Sequence, residues 1–172
     1  IEQFLASGRN TMDMDNLKDH SGVYALVLFV SKDVTVSVGK LGKQDFPKGY
    51  YTYVGSALGK GATNLKNRIE RHQQEHKRLF WHIDYLLENE HTEIRAVVAA
   101  QTNENKECDV NGYLKHIKDA VVPVVGFGSS DCKELCGSHL LFFPDVADTD
   151  FLVQKLKKYC ETFAKTCFVT II

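Results

Sequence analysis

The chain has 172 residues, 44% of them apolar and 25% charged, with a net charge of −1. These are the values of a single globular domain that can bury its own core, and they argue against a protein that is basic on every side. No apolar run approaches the ~20 residues of a membrane-spanning helix; the longest is Val23–Val30, so no membrane partner is expected. The five cysteines are an odd number in a chain large enough to fold without staples, which points away from a disulfide framework and toward a reducing, cytoplasmic setting. The chain opens on Ile1 rather than Met, as a processed or trimmed product would, and no targeting segment is evident.

Residues 1–21 are polar and mixed and read as an N-terminal arm, with a short helix near Asp15–His20. Gly22–Ser31 is a strongly apolar strand. Asp33–Val38 alternates, with Val34, Val36 and Val38 on one face, and reads as a second strand closing a hairpin on the first. Residues 39–48 hold three lysines, two glycines and Pro47, the composition of an exposed loop. Gly49–Ser56 is a third strand, with Tyr51 and Tyr53 on one face and Tyr50 on the other. A helix is predicted from Thr63 to about Arg78, capped by Thr63 or Asn64 and carrying Leu65 and Ile69 as its apolar stripe.

Trp81–Leu87 and Glu93–Gln101 read as strands and Glu107–Asp119 as a helix. Val121–Gly128 reads as a strand running into a glycine turn, and Gly137–Phe143 as a short strand stopped by Pro144. Asp148 or Thr149 caps an amphipathic helix to about Lys165, and Cys167–Ile172 closes the chain as a strand. Hairpins mixed with helices, without regular βαβ alternation, predict an α+β fold: a central antiparallel or mixed sheet flanked by helices, with an inserted hairpin and a C-terminal helix–strand extension. The expected organisation is an arm at 1–21 and one domain at 22–172, its motif core spanning 22–143 and its extension 144–172.

The helix at 60–78 concentrates positive charge. Lys60, Lys66, Arg68, Arg71, Lys77 and Arg78 face only Glu70 and Glu75. Arg68 and His72 are four apart and stack on one face. The glycine-rich stretch from Gly55 to Gly61 feeds the helix N-terminus, where free amides and the dipole favour an anion. Charge alone fits a solvated face equally well.

Gly22-Val23-Tyr24, Tyr53-Val54-Gly55-Ser56 and Leu65-x-x-Arg68-Ile69-x-x-His72 resemble the signature of the GIY-YIG endonuclease superfamily. The runs GKLG (39–42), PKGYYTYVGSALG (47–59), WHIDYLL (81–87) and GFGSSDC (126–132), followed by Ser138-His139-Leu140, are similar to the domain of unknown function 123 family, an uncharacterised branch of it. Valine stands where the superfamily's name has isoleucine, and the gap between the two tyrosine motifs is long. The resemblance implies metal-dependent hydrolysis of a nucleic-acid phosphodiester, with DNA as the expected partner. Tyr24, Tyr53, Arg68 and His72 would be catalytic. Glu107 would bind Mg²⁺ or Mn²⁺, with Asp84 and Glu88 as alternatives. Lys60, Lys66, Arg71, Lys77 and Arg78 would contact the nucleic acid. The alternative is a non-catalytic nucleic-acid or protein-binding module on the same scaffold.

His82 and Asp84 alternate in the predicted strand WHIDYLL, either as a structural His–Asp pair or as a support behind the cleft. Cys132, Cys136 and His139, with Cys108 elsewhere, are donors that zinc accepts. Their C-x₃-C-x₂-H spacing lacks an evident fourth ligand, so packing or capping near the glycine turn is favoured over zinc. Cys132 as a nucleophile beside His139 has no third group in view to orient it. The sequence leaves the oligomeric state open.

Overall fold

The computed structural model describes residues 14–59 and 63–172. In chain order the elements are β1 (Gly22–Val30), β2 (Val34–Ser37), β3 (Lys43–Phe46), β4 (Gly49–Ala57), α1 (Leu65–Gln73) and α2 (His82–Leu87). There follow β5 (Thr92–Gln101), α3 (Glu107–Lys115), β6 (Leu140–Phe143), α4 (Thr149–Cys160) and β7 (Cys167–Ile171). Five strands form a sheet in the order β6-β4-β1-β5-β7, every pair antiparallel; β2 and β3 form a separate pair. This is the expected α+β architecture, including the C-terminal helix and strand.

β1 lies at the centre because it is apolar on both faces. Tyr24, Leu26, Leu28 and Val30 pack with Leu65, Ile69, Ile83 and Leu86 from α1 and α2. Val23, Ala25 and Val27 pack with Val110 and Leu114 of α3 and Leu152 and Leu156 of α4. A strand covered on both sides reads as a continuous apolar run rather than an alternating one. Asn64 caps α1, its side chain accepting from the Asn67 amide at 2.9 Å, and Asp148 caps α4 by accepting from the Phe151 amide at 2.9 Å.

Four expectations are corrected. β2 pairs with β3 and not with β1, so the expected loop at 39–48 contains a strand. Only Phe46 of β3 enters the core, and the other three residues (Lys43, Gln44 and Asp45) gave no apolar alternation to read. WHIDYLL is helical from His82. The Asp84 carboxylate reaches back to the amides of Phe80 (2.9 Å) and Trp81 (2.8 Å), and Ile83 and Leu86 are buried three apart, as a helix requires. α1 stops at Gln73 because residues 73–78 contain no apolar side chain to bury, and helices in proteins are held chiefly by packing. Val121–Gly128 forms only a single bridge, Val121 to Phe142, before breaking into turns.

Residues 1–13 of the expected arm lie outside the described residues. Residues 14–21 dock on the start of α1, with Leu17 fully buried and the Leu65 amide bonded to the His20 carbonyl at 3.0 Å. Among the described residues no helix is long and apolar enough to cross a membrane.

Candidate active cleft

The two tyrosines come from adjacent central strands. In the β1–β4 register Tyr24 lies opposite Gly55 and Leu26 opposite Tyr53. Gly55 makes room for the neighbouring phenol: a Cβ there would lie 2.5 Å from the Tyr24 hydroxyl. Gly128, at φ +67°, does the same for Tyr53, whose Cε2 a Cβ would approach to 2.8 Å. α1 then places Arg68 and His72 one turn apart. His72 Nε2 is 2.7 Å from the Tyr24 hydroxyl, and the Arg68 guanidinium sits 4.7 Å from the centre of the Trp81 ring. Glu107 opens α3. Its Oε2 accepts from the Ser56 hydroxyl at 3.2 Å, and its Oε1 lies 3.0 Å from His139 Nδ1.

Tyr24, Tyr53, Arg68, Trp81, His82 and Glu107 line one cleft of about 410 Å³. A larger groove of about 640 Å³, bordered by Tyr113, His116, Phe151 and Lys155, gathers none of these groups.

Burial dominates the protonation of the site. It pushes the Tyr24 phenol well above its usual range; Tyr53 and Glu107 add to this, and Arg68 opposes it. Tyr53 is raised by the same burial, reinforced by Glu107 and Asp84 and opposed by Arg68 and Arg71. Burial brings His72 down to about 3, so its imidazole is neutral at pH 7 and shares a hydrogen bond with the Tyr24 hydroxyl. His82 is also lowered, by burial first. Its Nδ1 accepts the Gly128 amide at 3.0 Å, which leaves the ring proton on Nε2.

The structure thus brings Tyr24, Tyr53, Arg68, His72, His82 and Glu107 together and disperses the rest. Glu88 faces His76 at 3.9 Å, away from the cleft. Asp84 is fully buried and does not pair with His82. It grips Arg71 with both oxygens, at 2.7 and 2.8 Å, besides the two amides already named. Burial alone would raise this carboxyl, but the Arg71 fork and the amides hold it below the usual carboxylate range.

Most of the expected nucleic-acid contacts have internal partners. Arg71 is held by Asp84 and stacks 4.1 Å from the Trp81 centroid. Lys66 pairs with Asp15 at 3.2 Å and Glu70 at 3.7 Å. Lys77 caps the end of α1, donating to the carbonyls of His72 (2.9 Å) and Gln74 (3.0 Å). Arg78 is exposed beyond the helix, and Lys60 lies outside the described residues. As cleft residues, Ser56 and Trp81 were not anticipated, and His139 was weighed only as a zinc donor and not as the neighbour of Glu107. Ser56 closes the second tyrosine motif and was within reach of a motif argument; the roles of Trp81 and of His139 beside Glu107 rest on tertiary contacts that gave no local signal.

Beside the cleft lies a second cluster. Cys108 follows Glu107 on α3, and its Sγ lies 3.3 Å from Cys132 Sγ and 3.8 Å from His139 Nε2. With Cys136, these four residues bring one donor atom each within 4.8 Å of one another. All five cysteines are free thiols. Burial opposes ionisation of Cys132, but backbone hydrogen bonds from Cys136 and Glu134 and the neighbouring thiols outweigh it and bring the group to about 6.

Fold and cleft define the class: an antiparallel α+β domain presenting two tyrosines, an arginine and a glutamate to a single opening. The model of the family described as Domain of unknown function DUF123 matches residues 23–162, and the chain belongs to that family. No curated protein and no solved structure matches it.

Proposed function

We propose that the cleft binds the sugar–phosphate backbone of nucleic acid, DNA in the first instance, and hydrolyses a phosphodiester bond. The observation that carries this reading is the meeting of Tyr24, Tyr53, Arg68 and Glu107, far apart in the chain, around one opening. The resemblance of their motifs to the GIY-YIG endonucleases supports the same chemistry.

Arg68 offers a planar fork suited to two non-bridging phosphate oxygens, and Trp81 limits its freedom from one side. Neutral His72 hydrogen-bonds the Tyr24 hydroxyl at 2.7 Å and holds the phenol in place, so that its oxygen faces the cleft. Arg68 is the cation that opposes the burial of that phenol. The Glu107 carboxylate has Ser56 and His139 as neighbours, and no lysine or arginine pairs with it among the described residues. A lone carboxylate of this kind fits Mg²⁺ or Mn²⁺, which keeps most of its water shell. When bound, such an ion supplies positive charge for the leaving oxyanion.

The test is nicking of supercoiled plasmid with Mg²⁺ or Mn²⁺. Tyr24→Phe and Glu107→Gln should each abolish nicking while the protein stays folded, Tyr24→Phe costing only about 1–3 kcal/mol for one buried hydrogen bond to His72; nicking that persists in both variants overturns the proposal. A second reading, binding without cleavage, is favoured by the burial that keeps both phenols protonated. Salt-sensitive DNA binding without nicking, retained in Glu107→Gln, would select it. Five free thiols suit a reducing cytoplasmic setting for either activity.

A further inference from the structure

Residues 129–137 pose a physical problem. None of their side chains is buried, and none lies in a helix or strand. Only Ser129, Cys132 and Cys136 are even partly covered. Leu135 adopts φ +55° with its side chain 89% exposed, so no apolar contact compensates for this left-handed backbone. A segment without apolar anchors should not hold a defined course by packing. Yet it turns both of its cysteines onto Cys108 of α3 and His139, which leads into β6.

We propose that Cys108, Cys132, Cys136 and His139 bind a Zn²⁺ ion that fastens this loop to α3. The donors come from three places in the chain, and the fourth ligand that the local spacing did not reveal is Cys108. Tetrahedral zinc, about 2.3 Å from sulfur and about 2.0 Å from nitrogen, spaces two sulfurs about 3.8 Å apart and a sulfur and a nitrogen about 3.5 Å apart. The Cys108 separations, 3.3 Å to Cys132 and 3.8 Å to His139, and the 4.8 Å span of all four donors need only small side-chain adjustments to reach that geometry. Three thiolates and one imidazole are soft and borderline donors, which select zinc over Mg²⁺ or Ca²⁺. Three mutually adjacent thiols also distinguish the site from a single cysteine nucleophile, which has no use for two more. Lys115 donates to the Cys136 carbonyl and brings a positive charge to a centre that carries net negative charge once the thiols ionise.

The histidine joins the two sites. Nε2 faces the thiols and would take the metal, while Nδ1 lies 3.0 Å from Glu107 Oε1 but is not aligned to donate to it; a rotation of the ring would give the carboxylate partner usual for a metal-bound imidazole. Zinc would thereby fix the orientation of the carboxylate in the cleft. The zinc site itself does not depend on the nuclease reading, because metal content reads the same whether or not the cleft cuts.

Elemental analysis of protein purified without chelator should find about one zinc per chain, in keeping with a four-ligand site. Cobalt exchanged into the full chain should give the intense thiolate-to-metal absorption of a tetrahedral cysteine-rich centre. Cys132→Ser and Cys136→Ser should lose the metal, whereas Cys160→Ser should keep it. Chelation should open residues 129–137 to protease before the rest of the chain. Should the variants fail to fold, the cobalt spectrum of the wild-type protein decides. Reduced wild-type protein that takes up neither zinc nor cobalt, iron in place of zinc, or equal metal loss in Cys160→Ser would each overturn the assignment.

Discussion

Glu107 and Cys108 are consecutive residues on the first turn of α3, yet they serve two differently built regions. Glu107 looks into a cleft whose walls are strands and helices. Cys108 looks toward a loop without regular structure. Strands β1 and β4 hold the tyrosines by a continuous register from Gly22–Ala57 to Val30–Gly49, and apolar packing covers both of their faces. The loop has neither support, and under the zinc proposal its sulfur and imidazole groups take that part. The geometry of the cleft is then borrowed from the general stability of the fold, whereas a segment that buries no apolar side chain would need a specific cross-link.

The comparison breaks most visibly where the cleft wall is anchored. Asp84→Ala leaves Arg71 without its partner and frees two amides, and removing one member of a buried ion pair costs about 3–5 kcal/mol. Urea unfolding should register that loss; a variant as stable as the parent would mean that the wall does not depend on this pair. Arg68→Ala tests the cleft without disturbing the frame. It should lower the nicking rate by roughly a hundredfold or more, the cost of about 3 kcal/mol seen when a transition-state donor is lost, with the urea midpoint unchanged.

A subtler effect comes from His72. Its folded pKa of about 3 lies below the ordinary 6.5, so the unfolded chain binds the extra proton between those values. Stability is intact above pH 6.5 and should fall by about 1.4 kcal/mol per pH unit as acid is added through that window. His72→Gln should flatten that slope in urea titrations at stepped pH. The smallest effect is expected at Lys66, which is solvated and shares its charge with Asp15 and Glu70. Lys66→Ala should leave the melting temperature within error and DNA affinity nearly unchanged, in contrast with a variant of exposed Arg78.

What could be read in advance follows the same division. β1, β4 and α4 were legible because their apolar periods are long and their boundaries carry strong signals, such as Gly22, Gly49 and Asp148. The set Tyr24, Tyr53, Arg68, His72 and Glu107 was legible through motif resemblance, although spacing alone could not have brought it together. WHIDYLL was misread because seven residues fit a two-residue and a helical period equally well, and the decisive interaction, Asp84 with Arg71, is tertiary. The basic residues of α1 looked like a binding face because charge counts do not reveal that Arg71, Lys66 and Lys77 already have partners. Cys108 could not be matched to Cys132 and Cys136 because 24 residues separate it from the nearer of them.

Gly128 carries a mechanical consequence. Its amide holds His82, and its bare Cα leaves space for the Tyr53 ring, while four residues later the same strand of backbone reaches Cys132. A pull on the sulfur-bearing loop is thus delivered by a short lever to one wall of the opening, loosening an imidazole and crowding a phenol in a single movement. Loss of whatever fastens the loop would then be felt first as a change in the shape of the entrance, before any strand of the sheet gives way.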